Sequence, residues 1–398
     1  MTSESKGVWS ATVKKLASGT AYSYRLTFAD GTVNTSADPY ATAAVANGER
    51  SVVLSKKAMG KAGKRMPAFG KTTDASIAEM NIRDFSINGL RHLRRQAGQV
   101  PGVVESGTKT AKGATSGLDY LKSLGVTHVQ IMPMYDYGSV NETGDLSYNA
   151  DGAQNWGYDP ENYNVPEGSY SSDPSNPSSR VTEMKQMVKG LHKNDIRVIM
   201  DVVYNHVYNA ANHSFNKTVP GYYFRYDDNG SLVNDSGCGN DTASERAMMR
   251  KYIVDSVTYW AKNYNIDGFR FDLMGLIDTK TMQEVRAALD KIDPSIIVLG
   301  EGWDMNSTMD KSEMTIQPNA YQSLRTAPTT ASRSSTTRSA TASRVPCSPT
   351  PTPVSSPARP IRKASSPTTC SAASTTPTPS PPAGTAMRRT TTRMPVRW

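Results

Sequence analysis

The feature of this sequence that most restricts its fold is a regular alternation of apolar runs and helix-like stretches after about residue 76. Helix-like spacing of apolar residues occurs in TSGLDYLKSLGV, SRVTEMKQMVKGLHKND and TMQEVRAALDKI, and a further helix is predicted from about 243 to 264. Strands that alternate with helices in this way predict an α/β protein with a parallel sheet. The apolar runs are EMNIRDFSI (79–87), THVQIMPMY (127–135), IRVIMDVVYNH (196–206), GFRFD (268–272) and SIIVLGEGW (295–303).

Polar and reactive side chains collect where each of these predicted strands ends. In a (β/α) barrel the carboxyl ends of the strands share one rim, and that rim carries the active site. A doubly wound sheet would produce the same pattern, and loops are polar in any fold. The long aromatic-rich segment 136–180 is typical of a substrate loop and favours a (β/α)8 TIM barrel, of which about five units are present. The strand-end residues are Arg83 and Asp84, Tyr135 and Asp136, Asn205 and His206, Arg270 and Asp272, and Glu301.

Two smaller features concern the helices and the beginning of the chain. Thr242 and Glu245 have the spacing of a capping box and are expected to open the helix near 243. The runs GVWSATV, YSYRLTF and SVVLS within residues 1–55 predict β-strands separated by turns. Three strands cannot close a sandwich, so either this β-module is incomplete or it packs on the domain that follows.

Charge and composition exclude several classes of protein. The chain has 398 residues and a formal charge of +9, but residues 317–398 hold ten Arg, one Lys and no Asp or Glu. The remainder carries slightly more acidic than basic groups, which argues against a nucleic-acid partner.

No long apolar run predicts a membrane span. Without a visible signal peptide the chain as written is expected in the cytoplasm, although an intact parent could be secreted. The three cysteines suggest lone thiols rather than disulfides or metal ligands.

Arg270 and Asp272 are the first candidates for chemistry. Alternation along a strand places both on one face, which fits either a structural ion pair or a carboxylate kept ionised for catalysis. Glu301 follows one strand–helix–strand unit later, so the two carboxylates can face each other across neighbouring strand ends. A pair of opposed carboxylates is what glycosyl transfer requires. An apolar wall such as Trp303 could raise the pKa of the acid.

Other polar and aromatic residues suit a carbohydrate ligand. Asn205 and His206 could hydrogen-bond sugar hydroxyl groups. Flat aromatic faces for pyranose rings are offered by Trp156, Tyr158, Tyr163 and Tyr170. Each of these signals is weak alone, because an aromatic residue is more often part of the core and a single histidine is more often structural. Their combination, in this order along this fold, indicates a glycoside-processing site.

Three sequence blocks resemble those of a known family. DVVYNH (201–206), GFRFD (268–272) and GEGW (300–303) resemble consecutive motifs of the α-amylase superfamily, glycoside hydrolase family 13. NWGYDP (155–160) is similar to the signature of its type I pullulanase subgroup, which hydrolyses α-1,6-glucosidic branch linkages in pullulan, glycogen or branched dextrins. The same motif argues against an α-1,4-glucan hydrolase or a glycogen debrancher. Residues 1–75 resemble the end of a starch-binding β-sandwich module of carbohydrate-binding family 48.

The resemblance implies a role for each matching residue and a retaining double displacement through a covalent glucosyl-enzyme. It implies an α-glucan as the partner, with neither a nucleic acid nor a membrane, and no cofactor; a calcium ion is possible, but these residues do not demonstrate one. The implied roles are Asp272 as nucleophile, Glu301 as general acid/base, Arg270 as orienting cation, His206 as a contact of the sugar at the cleavage site, Tyr158 as its stacking surface, and Asn205 and Asp201 as parts of the rim.

The sequence thus predicts three segments, of which the last fits no folded domain. A partial β-sandwich and linker covers 1–75, and a partial catalytic barrel covers 76–322. Residues 323–398 form a Ser/Thr/Pro/Arg-rich tail without hydrophobic periodicity. It meets the barrel in mid-domain, so we expect an out-of-frame translation; a linker and a basic arm are the alternatives. The family's third acid, which stabilises the transition state, has no counterpart in the tail. We therefore expect little hydrolysis by the chain as written, and a glucan-binding fragment is the alternative function.

Overall fold

The computed structural model describes residues 1–4, 8–87 and 97–324. The predicted tail at 323–398 lies outside these residues except for its first two positions, and the predicted domain boundaries stay a prediction. Met1–Lys15 belongs to a unit separate from the one that begins at Leu16. In the first unit, strand β1 (Thr2–Ser3) pairs antiparallel with β2 (Trp9–Ser10).

The second unit contains the remaining described strands and helices. Among the described residues, no helix is both long and apolar enough to cross a membrane. In chain order the elements are β3 (Thr20–Tyr22), β4 (Tyr24–Thr27), β5 (Val33–Ser36), β6 (Ser51–Val53), β7 (Ile77–Met80), α1 (Ile82–Ser86), α2 (Val100–Val103), α3 (Gly117–Leu124), β8 (His128–Ile131), β9 (Tyr135–Tyr137), β10 (Pro160–Pro166), α4 (Pro177–His192), β11 (Arg197–Val202), α5 (Ser214–Thr218), α6 (Ala247–Tyr264), β12 (Gly268–Phe271), α7 (Thr279–Asp290), β13 (Ile297–Gly300) and α8 (Gln317–Ser323). Short 3-10 helices cover Thr72–Asp74 and Met274–Leu276.

The central sheet confirms the predicted parallel α/β architecture. Its five strands lie in the order β13-β12-β11-β8-β7, and every neighbouring pair is parallel. A helix crosses over between each strand and the next along the chain, as in a (β/α)8 barrel. The register sets Asp201 of β11 beside Arg270 of β12, and Phe271 beside Gly300 of β13. Asp272 and Glu301 are the next residues of their strands, so both leave the sheet at the same edge.

The strands are shorter than the apolar runs predict. The predicted strand 79–87 is wrong beyond Met80, because the Asn81 side chain accepts hydrogen bonds from the N–H groups of Arg83 and Asp84 and so caps α1. Side-chain capping of this kind competes directly with the sheet ladder. Arg83 is buried and donates to the backbone carbonyl groups of Ser147 and Tyr148, so it does not lie on an open rim.

The predicted capping box at the start of α6 is also wrong. The helix begins at Ala247, and its N-cap residue, Arg246, makes no side-chain cap. Thr242 instead donates its hydroxyl to the backbone carbonyl of Tyr204. Glu245 forms an ion pair with Arg225, 2.9 Å between Oε2 and Nη2. Thr242 and Glu245 therefore bind residues distant in the sequence and do not cap the helix.

The strands that follow Leu16 pack on the barrel rather than forming a closed module. β3 pairs with β6 and β4 with β5, each as a two-stranded antiparallel ribbon. Ala43 and Val52 belong to the same buried cluster as the central sheet and its helices. Tyr252 of α6 donates its hydroxyl to the Pro39 carbonyl at 2.7 Å. These contacts agree with packing on the following domain, while the incompleteness of the β-module stays a prediction.

A buried cluster of charged groups joins the long insertion to helix α4. Arg180 is fully buried, and its guanidinium lies 3.0 Å from Asp136 Oδ1 and 2.5 Å from Glu142 Oε2. Glu167 completes a trio of carboxylates close enough together to hold a metal ion, but Arg180 already supplies the positive charge. Burial and the neighbouring Glu142 raise the pKa of Asp136, and the same causes raise that of Glu167 to about 8. Asp136, expected on the rim, is therefore a structural residue.

Candidate active site

Arg270 is the centre of the group of charged side chains at the edge of the sheet. Its Nη1 lies 2.9 and 3.0 Å from the two carboxylate oxygens of Asp201 and 3.1 Å from Asp272 Oδ1. Its Nη2 lies 2.5 Å from Glu301 Oε1. One guanidinium thus touches three carboxylates that come from three adjacent strands. Its planar fork of donors allows this, whereas a lysine ammonium would act as a single point charge.

Asp272 is held by contacts from two neighbouring segments. Its backbone N–H donates to the Val202 carbonyl at 2.9 Å, which continues the β11–β12 pairing by one residue. Asn205 Nδ2 donates to both the carbonyl and Oδ2 of Asp272, at 2.8 and 3.0 Å. Directly afterwards Leu273 has φ 41°, a left-handed conformation that is costly for a branched residue. The chain therefore turns sharply after the carboxylate and leaves it at the tip of the strand.

Glu301 occupies the equivalent position on the neighbouring strand. Its N–H donates to the Phe271 carbonyl at 3.2 Å, and Leu273 N–H points to its Oε2 at 3.4 Å. Gly275 allows the close approach of this segment, because a Cβ at that position would lie 2.1 Å from the Trp303 carbonyl oxygen. The Trp303 side chain is 54% exposed. The partner observed for the Glu301 carboxylate is thus Arg270, rather than the apolar wall expected from the sequence.

Asp201 is fully buried and connects Arg270 to the aromatic side of the site. Tyr158 donates its hydroxyl to Asp201 Oδ2 at 2.8 Å. Burial raises the pKa of Asp201 to about 7, against the lowering effect of the Arg270 charge. Burial and the Asp201 charge raise the pKa of Tyr158, so this phenol stays protonated and can donate. Asp201 therefore holds both the guanidinium and the Tyr158 ring in place.

His206 is linked to Asp272 through the side chain of Asn205. Its Nδ1 is 2.5 Å from Asn205 Oδ1, and its Nε2 is 2.8 Å from the Tyr158 carbonyl. Tyr163 donates its hydroxyl to the His206 carbonyl at 2.7 Å. The side chain is buried, and burial lowers its pKa. His206 therefore contacts the Asn205 side chain, whose amide donates in turn to Asp272.

The aromatic residues that the sequence singles out divide into two groups. Trp156 is 57% exposed and Tyr158 is half-buried, so both can present a ring face to a ligand. Tyr163 and Tyr170 are buried in the core, and their prediction as ring platforms is wrong. Tyr163 stacks on Tyr204, and the Tyr170 hydroxyl accepts a hydrogen bond from Asn81. From the sequence alone, an exposed aromatic ring that a ligand can contact could not be distinguished from a buried ring of the core.

A cleft of about 560 Å³ lies beside Tyr158 and contains residues that the sequence analysis did not select. The most prominent is Tyr208, which is 48% exposed. Its only signal in the sequence is its place two residues after His206. The residues that line the cleft are Ser139, Gln154, Asn155, Trp156, Tyr158, Asp159 and Tyr208.

Comparison with known proteins identifies the relatives of this chain. Residues 104–231 match the family model for the α-amylase catalytic domain. The chain is 43% identical over 320 residues to the pullulanase of Bacillus subtilis, a match that covers 80% of this chain and 44% of that protein. Among solved structures, a pullulanase from Anoxybacillus in complex with maltotriose matches with a TM-score of 0.77 and 46% identity, over 81% of this chain and 45% of that chain. A Paenibacillus barengoltzii pullulanase in complex with maltohexaose and α-cyclodextrin matches with a TM-score of 0.70 and 44% identity, over 76% and 47%.

Residues 104–231 thus match the α-amylase catalytic domain, and the sequence, fold and strand-end site together resemble the α-amylase superfamily, glycoside hydrolase family 13. Within it, the part that matches resembles the type I pullulanases. The chain spans less than half the length of the relatives named above.

Proposed function

We propose that this site serves the hydrolysis of α-1,6-glucosidic linkages in pullulan, glycogen or branched dextrins. The observation that carries the proposal is the placement of Asp272 and Glu301 on the two arms of one guanidinium, Arg270. Two carboxylates of adjacent strands are thereby held beside one another at an open edge of the sheet. The pullulanase relatives support the choice of an α-glucan over other glycosides.

In the proposed reaction Asp272 attacks the anomeric carbon and Glu301 protonates the departing glycosidic oxygen. The same Glu301, now a carboxylate, then takes a proton from the water that hydrolyses the glucosyl ester, so the configuration is retained. Arg270 orients the nucleophile, because its Nη1 lies 3.1 Å from Asp272 Oδ1. Tyr158 supplies the ring on which the reacting glucose rests, with Trp156 and Trp303 at the margin.

Pullulan distinguishes a hydrolase from a protein that only binds glucan. We expect the unaltered chain to be retarded in a native gel that contains pullulan and to release reducing ends above the uncatalysed background, because Asp272 and Glu301 lie together at the sheet edge. Asp272→Asn and Glu301→Gln should keep the retardation, while the release of reducing ends falls to the uncatalysed background. Equal release by the unaltered chain and Asp272→Asn would leave binding as the only function. Lack of retardation would contradict the proposal altogether.

A further inference from the structure

Tyr208 is an exposed aromatic residue with an unusually well-defined support. A Cβ placed on Gly138 would lie 2.1 Å from Tyr208 Cδ1, so the ring lies directly against the glycine backbone. Gly138 does not have a positive φ, and the close ring, rather than backbone conformation, is what requires a glycine there. The Tyr208 N–H also donates to the Pro160 carbonyl at 2.9 Å, which fixes its backbone on strand β10.

The backbone segment under the Tyr208 ring is held by hydrogen bonds to Asp159. Gly138 N–H donates to the Asp159 carbonyl at 3.0 Å, and Ser139 N–H donates to Asp159 Oδ2 at 2.9 Å. In the segment that contributes Trp156 to the cleft, Gly157 N–H donates to Asn155 Oδ1 at 2.7 Å. A pre-formed cleft avoids the entropy of ordering loops when a ligand binds.

The composition of the cleft fits a neutral ligand with flat apolar faces and polar edges. Two half-exposed rings, Trp156 and Tyr208, are combined with the amide of Gln154, and Asn155 and Asp159 complete the polar lining. Large exposed aromatic residues in a concave surface with a few polar groups mark a ligand site. A pyranose ring matches this chemistry, because its C–H faces pack on aromatic rings while its hydroxyl groups reach amides at the rim.

We propose that Tyr208, seated on Gly138, is a binding platform for a glucose unit of the α-glucan adjacent to the unit that rests on Tyr158. The proposal rests on the proposed function, since Tyr158 lines both the cleft and the carboxylate site and a single glucan chain would extend from one into the other. The ring of Tyr208, rather than its hydroxyl, is the binding element, and Gly138 sets its position.

Binding of maltotetraose to the full chain, measured by isothermal titration calorimetry, tests this platform. We expect Tyr208→Ala to weaken binding about tenfold, the size of one lost aromatic contact. Gly138→Ala replaces no tyrosine, yet it should weaken binding similarly, because the added methyl group displaces the Tyr208 ring. Tyr208→Phe should bind as the unaltered chain does. The matched control is Tyr120→Ala, which removes a tyrosine that is 49% exposed on α3.

The outcomes separate this inference from the function on which it rests. If Tyr208→Ala and Gly138→Ala bind normally while Tyr158→Ala does not, the platform is refuted and the proposed glucan site stands. If Tyr208→Phe is as weak as Tyr208→Ala, the hydroxyl is responsible and the platform is refuted as well. If the unaltered chain does not bind maltotetraose, both proposals are wrong.

Discussion

Replacing Arg270 with lysine is expected to slow the transfer of a glucosyl group to this protein by about a hundredfold or more. The reason is geometric, since Arg270 contacts Asp201, Asp272 and Glu301 at once and a lysine ammonium cannot reach all three. The charge survives in this variant, but the alignment of the two reacting carboxylates does not. The rate is measured by mass spectrometry during incubation with a fluorinated α-maltotriosyl fluoride, which leaves a slowly hydrolysed ester on a nucleophilic carboxylate.

A second arginine of the same sheet provides the control. Arg197 begins β11, at the opposite end of the strand from the carboxylates, and donates to the Pro67 carbonyl at 2.8 Å. Arg197→Lys should label at the rate of the unaltered chain. Labelling of Arg270→Lys within a few-fold of that rate would show that the guanidinium does not organise the site.

The largest expected loss of stability follows from replacing Arg180 with methionine. Methionine matches much of the volume of the side chain but leaves Asp136, Glu142 and Glu167 buried without their cation. Removing one partner of a buried ion pair costs about 3–5 kcal/mol, because the remaining charge must be protonated or hydrated. Glu142 also accepts the Asn47 N–H at 2.7 Å, so the effect should extend to the contact with the N-terminal strands. The free energy of unfolding is obtained from urea titration followed by circular dichroism.

Arg25→Met in β4 is the matched control, because Arg25 is exposed and its replacement should change the free energy of unfolding by less than about 0.5 kcal/mol. If the two variants unfold at the same urea concentration, the buried cluster of Arg180 with its three carboxyl groups does not stabilise the fold. A large loss for Arg180→Met alone would assign the cluster a structural role.

The order of the elements and the meeting of Asp272 and Glu301 at one edge of the sheet could be predicted from the sequence because both depend on local patterns. Apolar runs separated by amphipathic stretches lead to a parallel sheet, and the sheet fixes where Asp201, Asp272 and Glu301 emerge. The link from Arg270 to Asp272 follows from alternation along one strand. The additional contacts from Arg270 to the two neighbouring strands required the register of the sheet.

Other features depend on contacts between distant parts of the chain, which the pattern of the sequence does not contain. Asn81 ends its strand early because its side chain caps a helix instead. Tyr163 and Tyr170 have the composition of ring platforms, yet the packing of the insertion buries them. Tyr208 could not be selected from the sequence, because its ring lies against Gly138, a glycine about seventy residues earlier. Side-chain burial is a tertiary property, and here it decides which aromatic rings are exposed.

The identity of the nucleophile is the central claim, and peptide mapping of the covalent adduct tests it most directly. Fluoride departs without protonation, so Glu301→Gln should still be labelled by the α-maltotriosyl fluoride, whereas Asp272→Asn should not. We expect one adduct, located on the peptide that contains DGFRFDLMG and on Asp272 within it. An adduct on another carboxylate, or labelling of Asp272→Asn at the rate of the unaltered chain, would contradict the claim.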